Sequence, residues 1–233
     1  MFQLLLIRHA QSANNALPES QRVPDPGLTA LGQLQANALA AWLAQYPPTS
    51  LICSGFSRAL QTTKPVAKIL GLRPSVRYDL FEQGGCYSGY LPGKITASSG
   101  LGRGEIIRQY GDWNIDDRIS DYGWYHGQEL EEDEQAVARA DSVAQWIVEI
   151  LVPAGAVRSG LNRPALIIHA DFKALLLESL LQHPRSHSAV PSRRDQLAEV
   201  WNASVTQLSW VGTRWRLDFW NSIGHLPAEC LSS

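Results

Sequence analysis

The sequence predicts an α/β protein with a layered sheet, and three observations predict it. Short apolar runs, "LLLI" at 4–7 and "ALII" at 165–168, have the length of strands buried on both faces. Other stretches place apolar residues at steps of three and four, the spacing of helices that cover a sheet. Both runs end abruptly in polar groups, Arg8-His9 and His169, and open α/β sheets bind ligands at the carboxyl ends of their strands.

Taken in order, residues 4–7 form the first strand. Thr29 is an N-cap for a helix in which Leu31, Leu34, Ala38 and Trp42 recur, until Pro47 and Pro48 end it. Residues 50–53 are the second strand, and a helix runs from about Ser57 to Leu70, with Pro65 a kink and Gly71 the stop. A third strand falls near 75–80. Residues 84–130 differ in kind: ten glycines are mixed with Tyr87, Tyr90, Tyr110, Trp113, Tyr122, Trp124 and Tyr125. This weakly periodic stretch reads as a cap or lid inserted in a single domain spanning 1–233. "ELEEDE" opens a solvated helix, and Val137, Ala140, Ala144, Ile147 and Leu151 carry it on. After the strand at 165–168, Phe172, Leu175, Leu176 and Leu180 make another helix, and 204–211 and 214–220 alternate as strands.

A chain of 233 residues buries a full core. Its net charge of −2 and pI near 6.3 offer no general attraction for nucleic acid or an anionic membrane, so anions must be bound by local clusters. Cys53, Cys86 and Cys230 are few, odd in number and unpaired in sequence, which fits a reducing compartment. No basic leader precedes the first apolar run, and no stretch approaches the ~18 apolar residues of a membrane span, so a cytoplasmic location is expected.

Two strands deliver Arg8-His9 and His169 to one sheet edge, and "CSGFSRALQT" places Arg58 at a helix start on that edge. In order, "IRHAQSANN", "DPGLTALGQLQA", "CSGFSRALQT", "LFEQGG" and "LIIHAD" resemble the motifs of the histidine phosphatase superfamily, in its phosphoglycerate-mutase-like branch 1. The likeness reaches "NASVTQLSW" and "WNSIGHL" and so covers nearly the whole chain. It implies a three-layer α/β/α sandwich around a mostly parallel sheet, acting on small phosphorylated substrates. It further implies that His9 attacks phosphorus, that Arg8, Arg58 and His169 hold the phosphoryl oxygens, and that Glu82 protonates the leaving oxygen. Paired Arg donors suit equatorial oxygens that carry the charge of phosphoryl transfer, so neither a metal nor a cofactor is required. Gln11, Ser12, Asn15 and Ala170 are candidate phosphate or substrate neighbours, with turn and capping roles open for the three polar ones.

Read alone, Arg58 is a surface helix residue and Glu82 a solvated loop acid; their place in the ordered set makes them candidates. His126, His183, His187 and His225 are structural or exposed, and Arg193-Arg194 lie on a solvated loop. The chain departs from the family at Ala10, where glycine is usual, at Gln11, which replaces a common glutamate, and at Ala170-Asp171, which replaces glycine and puts a negative charge near the anion site. Three other readings stand beside phosphatase: a cofactor-dependent phosphoglycerate mutase, an inactive binding protein on the same fold, and a 2-His-1-carboxylate iron site drawing on His169 and Asp171. The aromatic cap reads as one that admits varied apolar leaving groups.

Overall fold

The computed structural model describes residues 1–88, 95–156, 160–181 and 199–233. Strand β1 (Phe2–Arg8) is followed by a short helix α1 (Ala13–Ala16), helix α2 (Ala30–Gln45), strand β2 (Ser50–Ser54), helix α3 (Ser57–Leu70) and strand β3 (Ser75–Arg77). The next stretch holds a two-stranded ribbon, β4 (Tyr87–Ser88) with β5 (Thr96–Ala97), then helix α4 (Arg103–Tyr110) and strand β6 (Asn114–Ile115). Helix α5 (Asp133–Trp146) runs through a π-helical turn, Ile147–Leu151, into α6 (Val152–Ala156). Strand β7 (Pro164–Ile168), helix α7 (Ala170–Leu181) and strands β8 (Val205–Val211) and β9 (Arg214–Ser222) follow. Tyr90 of the aromatic stretch, His183, His187, Arg193 and Arg194 lie outside the described residues.

Seven strands form one sheet in the order β6-β3-β2-β7-β1-β8-β9. The pairings from β6 across to β1 are parallel, whereas β8 is antiparallel to both β1 and β9. The apolar run at 4–7 serves two cores. Leu5 and Ile7 face Leu39, Leu43 and Leu60 of α2 and α3, while Leu4 and Leu6 face Ala140, Phe172 and Leu176 of α5 and α7. This is the three-layer sandwich. Leu4 and Leu6 are fully buried, so truncating either to Ala should cost about 2–5 kcal/mol.

The boundaries follow from local chemistry. Thr29 caps α2 by accepting from the Gly32 amide at 3.0 Å. Gly71 ends α3 in the left-handed region that only glycine enters without strain. Helix α2 turns a different stripe inward than the spacing suggested: Ala36, Leu39, Ala40 and Leu43 are buried and Leu34 is exposed. The helix is apolar on several sides, and buried Gln35 fixes the rotation by bonding the Gln11 amide and the Cys230 carbonyl. Strand β3 stops at Arg77 instead of near 80, because Asp79 folds back onto the Arg77 guanidinium at 2.9 Å.

Residues 84–130 are only partly separate from the sandwich. Their strand β6 extends the main sheet beside β3, pairing Asn114 with Ser75. Trp124 and Tyr125 are buried, Trp124 4.5 Å from the Phe56 ring centroid and Tyr125 5.2 Å from that of Phe81. Those two aromatics therefore pack into the core, and neither lines the cavity at the strand ends. Glu131 of the acidic run is not solvated either, since its side chain is 8% exposed and paired with Arg139. Among the described residues no helix is long and apolar enough to cross a membrane.

Candidate active site

Parallel register builds the site. Arg8 pairs with Ile168 and Cys53 with Ile167, so β1, β7 and β2 end together and release His9, His169 and Ser54 at one edge. The His9 amide still bonds the Ile168 carbonyl at 2.9 Å, which fixes where the imidazole leaves the sheet. Arg58 arrives from the first turn of α3, whose opening amide, Ser57, is capped by the buried carboxylate of Asp25 at 2.8 Å.

A cavity of about 240 Å³ opens at this edge. Arg8, His9, Ser12, Asn15, Arg58, Glu82, Ala170 and Asp171 line it, with Asn14, Arg22, Gln83 and Tyr87 on its outer walls. Of the sequence candidates, Gln11 and His169 are not among the lining residues: His169 is fully buried just behind His9, and Gln11 turns away. The Gln11 side-chain oxygen accepts from Thr29 Oγ1 at 2.7 Å and so secures the start of α2. Ser12 and Asn15 bond each other at 2.9 Å, a capping contact made on the cavity wall. His126 is exposed against Tyr122, and His225 stacks on Trp42 away from the cavity.

The His9 ring is held at both nitrogens. Nδ1 lies 2.7 Å from the Ala10 carbonyl, which can only accept, so Nδ1 carries the proton. Nε2 is then the basic nitrogen, and the Arg58 Nε–H donates to it at 3.1 Å. Burial, then the charges of Arg58 and Arg8, push the imidazole well below its ordinary pKa, so it is neutral near pH 7. His169 packs edge-on against His9, centroids 5.1 Å apart, and is also held neutral, chiefly by burial. Its Nε2 meets the Ser54 hydroxyl at 2.9 Å, while its buried Nδ1 has no partner among the described residues. Arg8 donates from Nη1 to the Val200 carbonyl, and its buried Nε is likewise without a partner.

Glu82 sits opposite, at the amino end of α7. Its Oε1 accepts from the Phe172 amide at 2.9 Å and the Gln83 amide at 3.0 Å, and Oε2 from the Asp171 amide at 3.3 Å. Burial raises its pKa, and the Asp171 charge raises it further, although the amides and Arg58 pull the other way. Gly85 closes the turn after it at positive φ, where a Cβ would overlap the Tyr125 ring. Among the described residues no three His, Cys, Asp or Glu side chains gather as a metal-binding group.

Sequence reasoning missed the supports. Asp25 caps the helix that carries Arg58, Asn202 reaches both the His9 carbonyl and Asn15 at 3.4 Å, and Lys173 is fully buried, its amine on Ser204. A lysine in the apolar face of a predicted helix was the available signal for the last; the others are short-range polar residues with no pattern.

A family model for the histidine phosphatase superfamily, branch 1, matches residues 4–223. The glucosyl-3-phosphoglycerate phosphatase of Mycobacterium tuberculosis strain H37Rv is 28% identical over 242 residues, with 98% of each chain covered. The mycobacterial glucosyl-3-phosphoglycerate phosphatase solved in complex with VO3 superposes with a TM-score of 0.61 at 25% identity, over 94% of this chain and 98% of that one. A PE-PGRS family protein of M. tuberculosis H37Rv is 44% identical over 72 residues, a match spanning 30% of this chain and 12% of that protein.

Proposed function

This chain belongs to branch 1 of the histidine phosphatase superfamily, and we propose that its nucleophile is His9, its phosphoryl ligands Arg8, Arg58 and His169, and its proton donor Glu82. The enzyme is a phosphatase of phosphomonoesters that works through a phosphohistidine, the chemistry of its family. The observation that carries the assignment is the doubly held His9 ring, with its proton on Nδ1 and its lone pair on Nε2 at the cavity wall.

When substrate enters, Arg58 exchanges its bond to Nε2 for one to a phosphoryl oxygen, which frees the lone pair. Nε2 attacks phosphorus, the P–O bond to the leaving group breaks, and Glu82 passes its proton to the departing oxygen to give the alcohol. With the Ser54 hydroxyl accepting from the Phe56 amide and donating to His169 Nε2, the His169 proton sits on Nδ1, and that N–H joins Arg8 and Arg58 in meeting the charge on the equatorial oxygens. Fixed donors of this kind are the main source of phosphoryl-transfer catalysis. Water then attacks the phosphohistidine and yields its proton to the Glu82 carboxylate. The N–P bond breaks, returning neutral His9, protonated Glu82 and inorganic phosphate.

Asn14, Arg22 and Gln83 give the outer cavity polar walls, which favours a leaving group that is small and polar over the apolar ones expected from the aromatic cap. A phosphorylated sugar acid of the kind named for the mycobacterial relative fits this description. Incubation with glucosyl-3-phosphoglycerate, and separately with 3-phosphoglycerate plus a bisphosphoglycerate primer, tests the reading. Stoichiometric phosphate from the former is expected; rapid isomerisation of the latter with little phosphate released would mean a mutase instead.

A further inference from the structure

We propose that Arg139, locked by Glu131, is a positioning residue that holds Glu82 in its proton-donating orientation. The proposal rests on the reading of Glu82 as the acid. It goes beyond it, because neither Arg139 nor Glu131 lines the catalytic cavity.

Arg139 engages the segment that carries Glu82 with all three guanidinium nitrogens or their partner. Its Nη1 donates at 3.0 Å to both the Asp79 and Phe81 carbonyls, the latter immediately before Glu82. Nε and Nη2 form a two-point pair with the Glu131 carboxylate at 2.7 Å each, and the Glu131 amide bonds the Gly84 carbonyl at 3.4 Å, just after Glu82. The clamp therefore grips the chain on both sides of the acid. Its flat faces matter as well. The guanidinium lies 3.6 Å from the Phe81 ring centroid and 4.1 Å from that of Phe172, whose amide is the 2.9 Å donor to Glu82 Oε1. One side chain from α5 thus fixes both the backbone that presents Glu82 and the residue on α7 that orients its carboxylate.

The pair is nearly sealed, with side chains 11% and 8% exposed. A buried ion pair contributes little net stability against an apolar replacement, because desolvation offsets the attraction. Orientation is what a planar, two-point pair does supply. Lysine would keep the charge but lose the fork and the stacking.

The test compares Arg139→Lys and Glu131→Gln with the wild type and with Glu82→Gln, using an alkyl phosphate that needs a proton and an aryl phosphate that does not. General acids contribute about 10²–10⁴, and loosening one should forfeit roughly tenfold, on the alkyl substrate alone. The alkaline limb of the alkyl pH profile should also move to lower pH, as Glu82 gains access to water. In the Glu82→Gln background, Arg139→Lys should have no further effect on the alkyl-to-aryl ratio. Glu131→Gln keeps the shape and an acceptor oxygen, so it carries the test if the lysine variant does not fold. Leu43→Ala, a remote core truncation, should lower the melting temperature and leave the ratio alone. Equal losses on both substrates with an unmoved limb, while Glu82→Gln remains selective, would overturn the clamp alone. A Glu82→Gln variant without leaving-group selectivity would overturn the acid assignment, and the clamp's role with it.

Discussion

The two sides of the cavity are built by different means. The proposed phosphate side is assembled from strand ends, with His9 and His169 following β1 and β7 by one residue each and Arg58 one residue into α3. The proposed acid side is assembled from loops and helices far apart in sequence: Glu82 is held by α7 amides and by a segment that Arg139 grips from α5. Hydrogen bonds of the sheet set the first to within a fixed register, whereas long-range side-chain contacts set the second. The phosphate side should therefore behave as rigid machinery, and the acid side as the adjustable part.

The harshest way to break that comparison is His9→Ala. It should leave a folded protein with turnover reduced by about a thousandfold or more on every substrate, and with no acid-labile phosphoenzyme on rapid quench. Full activity on an aryl phosphate would remove His9 as nucleophile. Glu82→Gln should cost about 10²–10⁴ on alkyl phosphates and far less on aryl phosphates, which separates the two sides by leaving group.

Arg58→Ala sharpens the comparison through pH. It should lower kcat/KM about a hundredfold. It also removes the larger of the two charges that depress His9, so the acidic limb, set below 6.5 in the wild type, should rise toward that value. A limb that stays in place would show that burial alone sets the His9 pKa. A smaller effect is expected in stability. His9, His169 and His225, the last pulled down to about 4, all have folded pKa values below the unfolded value of about 6.5. Their contribution is fully present above 6.5 and is lost as pH falls, because the unfolded chain binds protons that the native one refuses. Glu82 and Asp25, both raised chiefly by burial, work in the opposite direction. Melting temperature should drop between pH 7 and pH 5; a flat or rising trend counts against three histidines held neutral by the fold. The smallest effect is none: with Arg8 and Arg58 supplying the charge, a chelator should not change the rate, and vanadate should inhibit.

Much of this was legible in the sequence, and unevenly so. The runs at 4–7 and 165–168 announce strands covered on both faces, and polar residues directly after such runs sit at a sheet edge whatever the topology. Periodicity placed α3 at Ser57–Leu70 with its Gly71 stop, because capping and spacing are local. The same logic failed for the rotation of α2, where buried Gln35 rather than the apolar count decides which face turns in. It failed too for Trp124 and Tyr125, whose aromatic character suits a pocket and a core equally.

The sequence by itself determined the α/β class, the order of the main strands and helices outside residues 84–130, and the placing of Arg8, His9, Arg58 and His169 at element boundaries, since each depends on neighbours a few residues away; nothing in it signalled α4 or β6. Only the tertiary structure decided that Gln11 turns to Thr29 instead of the cavity, that Glu131 is buried on Arg139, and that Glu82 rests on the amides of α7. Those outcomes are contests between a side chain's water and a partner on a distant segment, at separations of 18, 8 and 90 residues. The last of these partners meets its acid only once the sheet and its covering helices have closed.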